Sequence, residues 1–142
     1  MIKLIKRLAI PVFCGLLIYI LFKSVFFIGY VPTESMEPAI KTGSVIFGYR
    51  IIGEIHRGDI VVYNSNGYIF VKRVSAMPGD VVYIASHGKI ISINKEFPDA
   101  AKILTVPENC YFMLGDNSDN SFDSRMWEDP FIQKNQIIAK IR

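Results

Sequence analysis

The chain is poor in the residues from which metal and thiol sites are built. Its 142 residues include only two cysteines, Cys14 and Cys110, and two histidines, His56 and His87. None of the four stands at zinc-ligand spacing, so no metal is expected, and nothing else in the sequence calls for a cofactor. Cys14 lies in an apolar N-terminal run and Cys110 opens a predicted strand near the other end, which argues against a disulfide between them. Acidic residues are missing from residues 1–31, which carry Lys3, Lys6, Arg7 and Lys23. The net charge of +3 therefore belongs to the N-terminus, and the 12 basic residues beyond it are matched by 13 acidic ones. No basic stripe is left for a nucleic-acid partner. Beyond residue 31 there is also no long helical period, no internal repeat and no low-complexity linker.

What the chain has in quantity is apolar surface, 51% of its residues. Leu8 to Phe22 is an uncharged run of 15 residues, and Leu8 to Ile28 spans 21. About 20 apolar residues in a helix suffice to cross a bilayer core. Pro11 falls in the first turn of such a helix, where its missing N–H matters little. Lys23 sits near the far end, where its ammonium can reach the headgroups. The basic residues before the run place the N-terminus in the cytoplasm and the rest outside. A cleaved signal peptide is the competing reading, but Phe26, Phe27, Ile28 and Tyr30 are too bulky for a small-x-small cleavage site. The sequence thus divides into a basic cytoplasmic N-terminus (1–7), a transmembrane anchor (8–30) and an extracytoplasmic domain (31–142).

That domain reads as mainly β. Strands are predicted at Ser44–Tyr49, Asp59–Tyr63, Tyr68–Ser75, Val81–Ala85, Lys89–Asn94, Cys110–Leu114 and Gln136–Ile141, all rich in Val, Ile, Tyr and Phe. Turn signals separate them at Arg57-Gly58-Asp59, Asn64-Ser65-Asn66-Gly67, Met77-Pro78-Gly79-Asp80 and His87-Gly88. Short strands at this spacing imply a coiled antiparallel sheet or partial barrel.

Gly115 to Arg125 is a loop by composition, with Phe122 its one large apolar side chain. A calcium loop of the EF-hand type needs Gly at position six and Glu at twelve. Neither register of this segment supplies them. The strings Lys41-Thr42-Gly43, Ser92-Ile93-Asn94-Lys95 and Ser118-Asp119-Asn120 stand in the wrong order and context for a penicillin-binding enzyme.

Serine needs a base before it can act as a nucleophile. His56, beside a Gly-Asp turn, and His87, at a hairpin tip, read as exposed loop residues. Lysine can serve when burial disfavours its charged form. Alternation places Tyr68, Phe70, Lys72 and Val74 on one strand face that is otherwise apolar. On this pattern alone Lys72 is either such a base or a residue snorkelling from a half-buried strand. Arg73, on the opposite face, cannot deprotonate at neutral pH.

Four segments resemble the boxes of the type I signal peptidases, Ser/Lys membrane serine endopeptidases. They are Ser35-Met36-Glu37-Pro38, Gly58-Asp59-Ile60-Val61-Val62, Val71-Lys72-Arg73-Val74 running to Pro78-Gly79-Asp80, and Gly115 to Arg125. They occur in the family's order behind an apolar span, and the resemblance covers essentially the whole chain. It implies Ser35 as nucleophile and Lys72 as general base. The Ser35 amide and the Thr33 hydroxyl would form the oxyanion hole. Ser121 would orient the lysine, Asp123 and Arg125 would support the loop, and Met36 would pack near the membrane-facing edge. It also implies preprotein signal peptides as substrates, with small residues one and three positions before the cut. The lipid bilayer is the other partner, and a monomer is expected. The departures are Ala76 and Glu128, both where the family commonly has Gly. The stretch between Lys89 and Val106 leaves little room for the extra β subdomain of larger relatives. Two other readings remain: a processing peptidase dedicated to one pilin- or conjugation-type substrate, and a non-enzymatic membrane-anchored β module.

Overall fold

The structure, a computed structural model, describes residues 2–86 and 90–141, excepting the side chains of 2–8 and 90–91. His87 and the Lys89 end of one predicted strand lie outside the described residues, as do the side chains of Lys3, Lys6 and Arg7. The organising unit is a hairpin of β3 (Ile60–Ser65) and β4 (Tyr68–Ala76). Asn66 and Gly67 close it with φ values of 51° and 83°, the left-handed pair that a tight hairpin turn demands. That turn fixes the register, so Val61 faces Lys72 and Tyr63 faces Phe70, while Ile60 faces Arg73 and Val62 faces Val71. Because directly opposed residues share a face, Lys72 and Arg73 point to opposite sides.

Around this hairpin runs a seven-stranded antiparallel sheet in the order β1-β2-β10-β3-β4-β8-β9. Its other members are β1 (Phe26–Tyr30), β2 (Val45–Tyr49), β8 (Cys110–Leu114), β9 (Phe131–Gln133) and β10 (Ile137–Ile141). A smaller sheet of order β6-β5-β7 consists of β5 (Val81–Ile84), β6 (Ile90–Ile93) and β7 (Lys102–Thr105). The stretch read as having little room for more β structure therefore contributes two short strands to a sheet of its own. Apolar side chains bury on both faces of the β3–β4 hairpin. Val61, Tyr63 and Val74 join Tyr111, Met113 and Ile132 on one side, while Val62 joins Val31, Met36, Ile46 and Ala139 on the other. Where β2 meets β10 the strands pass so closely that a Cβ at Gly48 would lie 2.6 Å from the Lys140 carbonyl oxygen. Only glycine fits there.

The N-terminal segment differs from its expected boundaries. The helix α1 runs over Ile2–Val25, and residues 26–30, read as the end of the anchor, form β1 against β2. The junction has no linker and is clasped by Arg50, whose amide donates to the Val25 carbonyl at 2.8 Å and whose Nε donates to the Phe26 carbonyl at 3.2 Å. Along α1, Ile10, Phe13, Leu16, Ile18 and Phe22 are all more than half exposed. Among the described residues, no helix is long and apolar enough to cross a membrane. Cys14 and Cys110 are both free thiols.

Candidate active site

Three separate stretches of chain supply the site. The first is the turn after β1, where Ser35 follows Pro32 and Thr33. This turn is tied down by Glu37, whose carboxylate accepts from the Thr42 amide at 3.0 Å and from the Thr42 hydroxyl at 2.8 Å. The second is the middle of β4, which presents Lys72. The third is the polar loop from Gly115 to Arg125. Ser35, Lys72, Ser121 and Asp123 are all buried there, with only 4% of Lys72 and none of Asp123 accessible.

Lys72 Nζ lies 2.5 Å from Ser35 Oγ in a buried hydrogen bond. Ser35 Oγ is also 3.4 Å from the Thr33 hydroxyl. Burial pushes the Lys72 ammonium below the usual lysine range. The charges of Asp123 and Asp116 favour the ammonium and that of Arg125 opposes it, but desolvation outweighs them all. The face shared with Phe70 and Val74 thus leaves the amine dry and in contact with a hydroxyl. A lysine snorkelling to solvent would be exposed.

Asp123 organises the third stretch. Its carboxylate accepts from the Gly115 amide at 3.0 Å and from the Ser121 hydroxyl at 2.6 Å. Arg125 adds a two-pronged bond, Nε to Oδ1 at 2.8 Å and Nη2 to Oδ2 at 2.9 Å. Burial pushes this carboxyl up, but the hydrogen bonds from Arg125, Gly115 and Ser121, with the Arg125 charge, hold it below the usual carboxylate range. Arg125 Nη2 also reaches the Ser118 carbonyl at 2.9 Å, closing the loop on itself. Ser121 was expected to hydrogen-bond Lys72. Its hydroxyl proton goes instead to Asp123, and among the described residues no Lys72–Ser121 hydrogen bond is present. A hydroxyl that donates to a carboxylate keeps its lone pairs for another donor, so this arrangement still presents an acceptor.

Two features of the site were not singled out from sequence. The Asn117 amide donates to the Ser35 carbonyl at 3.1 Å, and its side chain donates to the Glu34 carbonyl at 3.3 Å. The loop therefore grips the backbone of Ser35 directly. On the far side of β4, Arg73 holds Asp116 through Nε at 2.7 Å and Nη2 at 2.5 Å, and it donates to the Gly58 carbonyl at 2.7 Å. Consecutive residues of one strand thus serve the site from both faces. Gly115 is what lets the stretches meet, because a Cβ there would collide with the Ser121 hydroxyl and the Ser35 carbonyl oxygen. Gly115→Ala is expected to lower stability by about 1–3 kcal/mol through overpacking. Thermal melts of the full chain would read this directly.

A cleft of about 570 Å³ opens beside Ser35 and Lys72. Its walls include Val31, Ile46, Phe70 and Val71, together with Met36, which is fully buried in the core behind the cleft. Two unpaired strand edges border it. β1 is the last strand of its sheet, and β4 pairs with β8 only from Arg73 onward, which leaves Tyr68–Lys72 open on that side. His56 lies away from this cleft with its side chain 66% exposed. Among the described residues no group of His, Cys, Asp and Glu could hold a metal ion.

A family model described as "Signal peptidase, peptidase S26" matches residues 2–103 and 89–142. The "Signal peptidase I S" of Bacillus subtilis is 34% identical over 143 residues, covering 84% of this chain and 76% of the relative. The "Probable signal peptidase I-2" of Synechocystis is 29% identical over 130 residues, covering 78% of this chain. The chain spans only 59% of the length of that cyanobacterial relative. A solved structure of a signal peptidase I from Enterococcus faecalis aligns at a TM-score of 0.46 and 25% identity, over 62% of this chain and 97% of that one.

Proposed function

Since the chain belongs to the signal peptidase (peptidase S26) family, we propose that it is a membrane-anchored serine endopeptidase that cuts signal peptides from exported preproteins. The observation that carries this reading is the 2.5 Å contact between the Ser35 hydroxyl and a buried Lys72 amine. With that amine neutral, the contact runs in reverse: the hydroxyl gives its proton to the nitrogen lone pair as Oγ attacks the scissile carbonyl. The ammonium so formed returns the proton to the leaving amine, and the acyl-enzyme is released by water on the same base. The Ser35 amide and the Thr33 hydroxyl would hold the oxyanion. Ser121, Asp123 and Arg125 would fix the loop that closes over the lysine.

The substrate would lie in the cleft as an added strand, since the open edges of β1 and of β4 both border it. Its walls of Val31, Met36, Phe70 and Val71 suit small apolar side chains, which supports alanine-sized residues one and three positions before the cut. Anchoring rests on the apolar run from Leu8 and on the apolar side chains of α1 that face solvent, with Ile10, Phe13, Leu16 and Ile18 all more than half exposed. The outward face of the next two strands continues that surface, with Ile28, Tyr30, Val45 and Phe47 all more than half exposed. With Lys3, Lys6 and Arg7 ahead of that run, residues 1–7 would lie in the cytoplasm and the β domain outside the cell at the bilayer surface.

The test uses the full chain in detergent micelles with a preprotein that carries alanines before its cut. Cleavage at that bond, together with labelling of Ser35 by an acylating serine reagent, is the expected result. Labelling without cleavage of several unrelated preproteins would favour a peptidase dedicated to one substrate. Neither labelling nor cleavage would leave only a binding module.

A further inference from the structure

A second groove, of about 770 Å³, continues from the cleft and shares Phe70 and Phe122 with it. Its floor is aromatic: the Trp127 ring lies 5.2 Å from that of Phe70 and 6.1 Å from that of Phe122. Tyr68, Phe122 and Met126 along it are all more than half exposed. Glu128 and Asp129 stand among its lining residues, which include no lysine or arginine. None of the lining comes from α1, β1 or β2.

We propose that this groove receives the segment of the preprotein on the carboxyl side of the scissile bond and favours basic side chains there. The proposal rests on the peptidase reading of the adjoining cleft. A signal peptide still in the bilayer must approach beside α1 and along the β1 wall. The part that will become the mature protein must then leave on the side away from α1, where the groove begins. Phe70 stands two residues from Lys72 along β4 and its ring lies 5.2 Å from that of Trp127, so at about 3.3 Å per residue of extended chain the residues roughly two to four past the cut would reach the Trp127 region. Aromatic faces beside carboxylates recognise an ammonium or guanidinium by cation–π attraction and charge pairing together. The same carboxylates would repel anionic lipid headgroups, which favours a peptide over the bilayer as occupant. Glu128 stands where the family resemblance leads one to expect glycine, so the acidity is a feature of this chain.

Trp127 is the sole tryptophan, so the tryptophan fluorescence of the chain comes from this groove. The binding experiment uses the full chain carrying Ser35→Ala in neutral micelles. Three synthetic preprotein peptides would differ only in the second to fourth residues after the cut: lysine, alanine or glutamate. The expected result is a saturable change in Trp127 emission, half-saturating about fivefold lower for the lysine peptide than for the glutamate peptide, the size of an exposed charge and ring contact. Glu128→Gln should narrow that gap to within twofold. Cleavage of the three peptides by the unsubstituted chain should follow the same order in kcat/KM. Cleavage of all three without a preference, or without a Trp127 response in the binding experiment, overturns the groove and leaves the peptidase standing. Cleavage of none of them, with Ser35 unlabelled by the acylating reagent, overturns the peptidase reading and the groove with it; where Ser35 is labelled, the order of binding read by Trp127 alone decides the groove. Quenching of Trp127 by brominated lipid that bound peptide does not relieve would make lipid the occupant and overturn the proposal.

Discussion

Lys72→Met should lose about ten-thousandfold or more in kcat/KM on any cleavable preprotein while leaving the protein folded. The size follows from the proposed role, since removal of the base from a nucleophile–base unit typically costs nearly as much as removal of the whole unit. Ser35→Ala should match it, and the double substitution should cost little more than either alone. Methionine fills a volume close to that of lysine and needs no hydrogen bond, so the apolar face with Val61, Phe70 and Val74 should accept it. Stability moves the other way. Burial holds the Lys72 pKa lower in the folded chain than in the unfolded one. Between those two values the unfolded chain binds more protons, so native stability rises with pH through that window and is penalised below it. Lys72→Met removes the penalty, and its melting temperature at neutral pH should be higher and less dependent on pH. In the unsubstituted protein kcat/KM should climb with pH as the amine loses its proton, with the midpoint of the rise below the ordinary lysine value of 10.5. A lysine variant that kept near-normal turnover would end the Ser35–Lys72 mechanism.

Arg125→Met should destabilise the fold by about 3–5 kcal/mol, because it strands the buried Asp123 carboxylate without its counter-charge. For a chain of this size that corresponds to a drop of about 10–20 °C in melting temperature. The Arg125 side chain is only 7% accessible and Asp123 fully buried, so solvent does little to screen the pair. Adding Asp123→Asn to Arg125→Met should recover part of the loss, since no isolated charge then remains inside. The same pair sets a pH limit. Asp123 is held below its ordinary value in the fold, so the stability it contributes is present above the unfolded carboxylate range and is lost as pH falls through the folded value. Arg125 also opposes the Lys72 ammonium. Any activity left in Arg125→Met should therefore have its rising limb displaced to higher pH. Melting curves and a pH–rate profile on the single and double variants would separate these effects.

How far the sequence could be read depended on what fixed each element. The face of Lys72 was legible because Asn66-Gly67 fixes the hairpin register, and alternation does the rest along β4. The polar run from Gly115 was legible as a loop, and the Asp123–Arg125 pair followed from the family resemblance. The choice of Asp123 as the partner of Ser121 was not. Asp116, Asp119 and Asp123 are equally plausible on paper, and only the path of the loop sends Asp116 to Arg73 instead. Phe26–Tyr30 continues the apolar run and so reads as membrane although it forms β1, because hydropathy does not distinguish lipid from a sheet partner. β7 and β9 escaped because a strand of three or four residues carries too little alternation to read, and one of them starts directly after Pro130.

Val25 is the last residue of the helix and Phe26 the first of the sheet, with Arg50 clasping both carbonyls at the join. If α1 is the anchor proposed above, this join would make the blade and its mounting one piece. The Ser35 hydroxyl would sit at a set height above the lipid and face one compass direction around the helix. The enzyme would then measure where to cut by distance from the bilayer as well as by the residues it touches, and a few glycines spliced in at the join would blur that measurement while leaving the chemistry whole.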